Sequence, residues 1–270
     1  MYREFFSLNS RPFSKTPDPG FLFMSKAHEE ALARLRYAVE EREIILLTGE
    51  IGCGKTTLTR ALMDCLDESY RVILILNPRL TANQFLRSIA KRMEITIPSG
   101  YKDDLLEAIY QKVYDDCEKG ITPVIIIDEA QLIPKKDAFE EIRLLTNFQL
   151  DDTNLISLIL VAQPDIRRRL RHRAYAPLRQ RIGLFYHIGA LDEKETIDYV
   201  GHRLKTSGRG SRLFTERALE VIFRYSGGIP RVINSIATSA LLDAFSKDQE
   251  IIDEENIIDA VRELGYNGYS

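Results

Sequence analysis

The strongest constraint on the fold is one glycine-rich turn, Gly49-Glu-Ile-Gly-Cys-Gly-Lys-Thr56, followed by Thr57. It lies between an apolar run at 44–48 and an amphipathic stretch at 57–66, which is the strand–loop–helix setting a phosphate-binding loop requires. The glycines let backbone N–H groups wrap a β-phosphate, and the following helix presents its positive N-terminal end. Lys55 is then placed to reach the β- and γ-phosphates, and the Thr56 hydroxyl to ligate Mg2+. Gly49, Gly52, Cys53, Gly54, Lys55, Thr56 and Thr57 are the expected nucleotide-binding residues, with ATP and Mg2+ as the expected cofactors. An ordinary strand-to-helix turn would leave the Lys55–Thr56 pair to chance. Cys53 stands where a helix N-terminus lowers a thiol pKa, so a redox role is one reading and simple tolerance of the position the plainer one.

Such a loop needs a parallel sheet behind it. Short apolar runs at 44–48, 72–76, 124–127, 155–161 and 185–188 alternate with intervals long enough for crossover helices. The alternation predicts an α/β fold, an αβα sandwich around a five-stranded parallel sheet. A helical pattern at 26–41, with Ala31, Leu35 and Ala38 on one face, precedes the first strand. After Gly189 the strand-like runs stop. Four helical segments follow at 193–206, 215–225, 230–245 and 254–264, with Asp192, Thr215 and Asp253 as N-caps. The expected division is a nucleotide-binding core with an N-terminal extension over 1–189 and a four-helix subdomain over 190–270.

The third run ends in two acids, Val124-Ile-Ile-Ile-Asp-Glu129. A strand buried on both faces gains nothing in stability from adjacent carboxylates at its end, which implies a cation or a reacting water nearby. Beside a phosphate loop, Asp128 would hold the Mg2+ shell through water and Glu129 would polarise the water that attacks the γ-phosphate. The plain alternative is a strand end turning into solvent.

Composition narrows the function classes. Lys plus Arg number 37 against 40 Asp plus Glu, so the net charge of -3 gives no global attraction to nucleic acid or anionic membrane. Three cysteines without metal-ligand spacing fit a reducing compartment. The N-terminus lacks the apolar core of a signal peptide, and no run approaches the ~20 apolar residues of a membrane span. The expected location is cytoplasmic, either as a free protein or as the cytoplasmic part of a membrane-associated one. His28, His172, His187 and His202 show no paired spacing, so no metal site beyond Mg2+ is expected.

The two motifs, the strand pattern and the trailing helices together resemble the AAA+ ATPases over about the whole chain, in which the two motifs are named Walker A and Walker B. The resemblance implies hydrolysis of ATP by an oligomer with nucleotide at its interfaces, and a helical lid. It also implies a polar residue ending the strand after the acidic pair; in Leu155-Ile-Ser-Leu-Ile-Leu-Val-Ala-Gln163 that residue is Gln163, in place of the commoner Asn or Thr. Ala176-Pro-Leu-Arg-Gln-Arg-Ile-Gly183 resembles the stretch ending in an arginine finger, with Arg181 the better match and Arg179 the alternative. Gly227-Gly-Ile-Pro-Arg231 matches G-x-x-R of the sensor-2 helix, which makes Arg231 the link between lid and γ-phosphate.

A narrower likeness lies in Tyr2-Arg-Glu-Phe-Phe-Ser-Leu8, Arg11-Pro-Phe13 and Thr16-Pro-Asp-Pro-Gly-Phe-Leu-Phe23, and in the segment 191–204. These resemble the general secretion pathway protein A family and its relatives in pilus and exopolysaccharide systems. The resemblance implies remodelling or regulation of a protein partner in such an assembly, and an opening segment, 19–28, that helps form the adenine pocket. Two alternatives stand beside it. The run Arg167-Arg-Arg-Leu-Arg-His-Arg173 and the DNA-binding transposition regulators of the same superfamily carry a DNA-binding reading, which the overall acidity and the lack of a recognition helix oppose. A nucleotide-gated scaffold without turnover is the other, and it has no use for Glu129.

Overall fold

The computed structural model describes residues 1–14, 18–96, 101–134, 136–150, 153–210 and 212–266. Thr16 and Pro17 of the opening motif lie outside the described residues. The chain divides into two compact units. One comprises Glu29–Gly49 and Thr59–Ile188, and the other Met1–His28, Glu50–Leu58 and Gly189–Ser270. The opening segment and the phosphate loop therefore group with the C-terminal helices, whereas the expected division at Gly189 assigned both to the core.

The first unit is a five-stranded parallel sheet. Its strands are β1 (Ile44–Gly49), β2 (Tyr70–Ile75), β3 (Thr122–Ile127), β4 (Ser157–Ala162) and β5 (Leu184–Ile188), in the order β2-β3-β4-β1-β5. All five correspond to the apolar runs read from the sequence. Every residue of β1, β3 and β4 is buried, as strands covered on both faces must be. In β5 the pattern relaxes and Phe185 is 44% exposed, as an edge strand allows. The connecting helices include α1 (Lys26–Glu40), α2 (Lys55–Cys65), α3 (Ala82–Arg92), α4 (Lys102–Glu118), α5 (Lys136–Leu145), α6 (Asp165–Arg171) and α7 (Ala176–Arg181). A small antiparallel pair, Gln149–Leu150 with Thr153–Asn154, was not foreseen, because two-residue strands carry no periodicity.

Since β1, β3 and β4 run parallel and in register, with Thr48 opposite Ala162 and Ile127 opposite Leu160, they end on one edge of the sheet. Gly49, Asp128 and Gln163 follow at that edge, where open α/β sheets carry their ligands.

The second unit is built on α8 (Glu193–Thr206), α9 (Glu216–Ser226), α10 (Pro230–Ser246) and α11 (Glu254–Leu264). Asp192, Thr215 and Asp253 cap three of them through their side chains, as the sequence indicated. The opening segment packs into this unit through Phe6, Leu8 and Phe13. Buried Arg203 ties it down, donating to the carbonyls of Pro12 (2.5 Å), Ser14 (3.0 Å) and Phe21 (3.4 Å) and lying 4.6 Å over the Phe21 ring. Burial pulls its pKa below the ordinary arginine value, so these three acceptors hold a desolvated cation. Among the described residues no helix is long and apolar enough to cross a membrane.

Candidate nucleotide-binding site

The phosphate loop is defined by its backbone. Gly52 and Gly54 have φ of +89° and +90°, in the region L-residues rarely adopt. Each is also crowded. A Cβ on Gly52 would collide with the Cβ of Arg231, and one on Gly54 would stand 2.9 Å from Nε2 of His28. Arg231, in the first turn of α10, donates its backbone N–H to the Gly52 carbonyl at 3.3 Å while its guanidinium remains at the surface. The expected sensor arginine and the loop are thus brought together through main chain.

His28 holds the loop from the other side. It is buried, its Nε2 lies 2.9 Å from the Cys53 carbonyl, and its Nδ1 lies 2.8 Å from Oγ of Ser25. A carbonyl only accepts, so Nε2 carries the proton and Nδ1 accepts from the Ser25 hydroxyl. Both hydrogen bonds suit a neutral ring. Burial lowers the His28 pKa below its ordinary 6.5, against the opposing pull of the Cys53 carbonyl and the Glu195 charge. His28 ends the opening segment 19–28, but its hold on the loop could not be read there, because a lone histidine beside a loop motif carries no spacing signal.

Lys55 is 7% exposed and its Nζ donates to the Glu50 carbonyl at 2.9 Å. Cys53 is fully buried, and burial raises its thiol pKa, which opposes the reactive-thiol reading and favours a small residue filling its place.

The acidic strand end is defined instead by side chains. Asp128 is buried, and its Oδ1 accepts the backbone N–H of Glu129 at 2.8 Å. Glu129 adopts the left-handed conformation, φ 52° and ψ 37°, a strained state for a non-glycine residue of the kind that clusters at working sites. Its Oε2 accepts from Nε2 of Gln131 at 2.5 Å and from Nε2 of Gln163 at 3.4 Å. Gln131 also receives the Gln163 backbone N–H on Oε1 at 3.0 Å. Two glutamines therefore fix one carboxylate. Gln131 was missed because its role depends on β4 arriving beside it.

The two finger candidates part company. Arg181 donates to the Thr146 carbonyl at 3.3 Å and to Oδ1 of Asn147 at 2.8 Å. Arg179, two residues earlier on α7, lines an open cavity.

Among the described residues no group of three His, Cys, Asp or Glu is arranged to hold a metal. The oxygen donors read from the sequence, the Thr56 hydroxyl and the Asp128 carboxylate, are hard ligands of the sort Mg2+ takes when phosphates and water complete its shell.

The AAA domain family matches residues 37–170. General secretion pathway protein A of Aeromonas hydrophila is 38% identical over 253 residues, covering 92% of this chain and 45% of that protein, so the chain spans less than half of its relative's length. Among solved structures, the Aeropyrum pernix ORC2 protein in ADPNP-ADP complexes superposes with a TM-score of 0.70 at 20% identity, covering 94% of this chain and 71% of that one. Cdc6p of Pyrobaculum aerophilum gives 0.72 at 18% over 93% and 70%, and the RuvB Holliday junction branch migration motor of Thermotoga maritima 0.60 at 19% over 89% and 68%. These likenesses establish the α/β fold with its helical C-terminal part.

Proposed function

The chain belongs with the AAA+ ATPases and resembles general secretion pathway protein A, and from that premise we propose that it binds ATP with Mg2+ and hydrolyses it to drive or regulate a protein assembly. The observation that carries turnover, rather than binding alone, is the Glu129 carboxylate fixed by Gln131 and Gln163. A pure switch has no need of a positioned base. In this reading the loop 49–57 grips the phosphates through backbone N–H groups, and Lys55 exchanges the Glu50 carbonyl for phosphate oxygens. Glu129 accepts a proton from the water whose oxygen bonds the γ-phosphorus in line as the bond to the β,γ-bridging oxygen breaks and ADP leaves, while Gln163 orients that carboxylate. Thr56, and Asp128 through water, would hold Mg2+, which would neutralise charge on the phosphate oxygens.

Arg231 couples α10 to the loop, since its backbone already bonds Gly52. An arginine from a neighbouring subunit completes the charge stabilisation, with Arg181 and Arg179 the two candidates. Arg179 is the less committed within its own chain. The likeness to general secretion pathway protein A supports a partner in a cytoplasmic step of secretion, pilus or exopolysaccharide assembly, with the chain acting as a homo-oligomer.

The test is specific ATPase activity against protein concentration, with solution mass measured alongside, with and without double-stranded DNA. Activity that rises as oligomers form and ignores DNA supports this reading. Assembly and turnover triggered only by DNA would replace it with a DNA-dependent regulator.

A further inference from the structure

Helix α6 spends its arginines in three different ways. Arg168 points outward and pairs loosely with Asp165 at 3.6 Å, both side chains exposed. Arg169 turns inward, lies 4.6 Å over the Phe139 ring and 5.3 Å over that of Tyr175, and donates to the carbonyls of Gln131 and Ile133. Arg167 and Arg171, four residues apart and so on one face, do neither. With Arg179 from α7 they line an open cavity of about 590 Å³ whose floor is Leu46, Leu170 and Phe185.

No carboxylate lines this cavity. Three arginines that line one cavity raise its positive potential, which an entering anion would neutralise. Nε of Arg167 is buried with no hydrogen-bond partner among the described residues. Arginine forks match the several oxygens of a phosphoryl group bidentately, and its charge of about -2 answers three cations better than one carboxylate does. Phe185, half exposed on the edge strand, adds an aromatic face on which an organic group can lie. We propose that Arg167, Arg171 and Arg179 form a second phosphoryl-binding site, built from none of the loop residues, that takes a phosphate ester with its organic part on Phe185.

The experiment is a calorimetric titration of the ADP-loaded chain with inorganic pyrophosphate, with ADP occupancy followed separately so that a failure of the phosphate loop is told apart from a failure of this site. The expected result is saturable binding of one equivalent, weakened about tenfold or more in R167Q/R171Q and in R179Q and unchanged in R168Q. Thermal melting of each variant checks its fold; if the double variant melts early, R179Q, an exposed position, carries the comparison. Competition by a short single-stranded oligonucleotide identifies a nucleic-acid phosphate as the source, and its absence a small phosphate ester. Either supports the site. Absence of saturable binding, an equal loss in R168Q, or pyrophosphate binding that survives all the cluster substitutions would overturn it.

Discussion

The loop at 49–57 and the acidic strand end, which the proposed function joins in one reaction, are built on opposite principles. The loop is shaped by what cannot fit: two glycines at positive φ, each closed off by a neighbour, Arg231 or His28. The strand end is shaped by what must be added, since Glu129 is strained and relies on Gln131 and Gln163 to aim it. A loop of this kind should fail by steric intrusion and show the loss in binding. The strand end should fail by deletion and show it in turnover.

The sharpest way to break the comparison is Gly52→Ala, which adds backbone strain to a collision with Arg231. ATP affinity should fall about a hundredfold or more by equilibrium titration, a loss of about 2.7 kcal/mol or more. Wild-type affinity would mean that the loop is not sterically defined. His28→Ala removes the donor to the Cys53 carbonyl without adding bulk, and its affinity should fall about tenfold, as expected for one buried hydrogen bond and the cavity left behind. His28→Gln, which can still donate at that distance, should recover part of the loss.

His28 also gives the loop a pH dependence. Its folded-state pKa lies below the unfolded value of about 6.5, so the unfolded chain takes up the proton first as pH falls. The stability present above that pH is lost progressively below it. Melting temperature should therefore drop more between pH 7.5 and pH 5.5 in the wild type than in His28→Ala, and equal drops would remove His28 as the cause.

Gln131→Ala tests the strand end from its edge. With Gln163 as the remaining partner, turnover should fall about threefold to tenfold while ATP affinity stays put. The smallest effect belongs to Arg168→Gln, where an exposed, long ion pair is lost; stability should stay within about 0.5 kcal/mol by chemical denaturation.

What could be read from the sequence follows the same contrast. The five strands were legible because burial on both faces leaves continuous apolar runs, and the loop was legible because its chemistry is written as residue types at fixed spacing. Gln163 was reachable only through the resemblance to AAA+ proteins. Gln131 and His28 were not reachable, because each acts through one spatial neighbour distant in sequence or without a pattern. The grouping of the opening segment with the C-terminal helices was hidden for the same reason. Arg203 bonds carbonyls of Pro12 and Ser14, and no local signal joins positions so far apart. The four arginines of 167–171 look alike in sequence, and only their positions on α6 separate a stacked anchor from an exposed pair and an open cluster.

The most direct test of the central claim measures ATP affinity and single-turnover hydrolysis on the same samples of wild type, Lys55→Ala and Glu129→Gln. The account predicts that Lys55→Ala loses binding, and that Glu129→Gln binds ATP within a few-fold of wild type but hydrolyses it about a thousandfold more slowly. Hydrolysis by Glu129→Gln at the wild-type rate would contradict it.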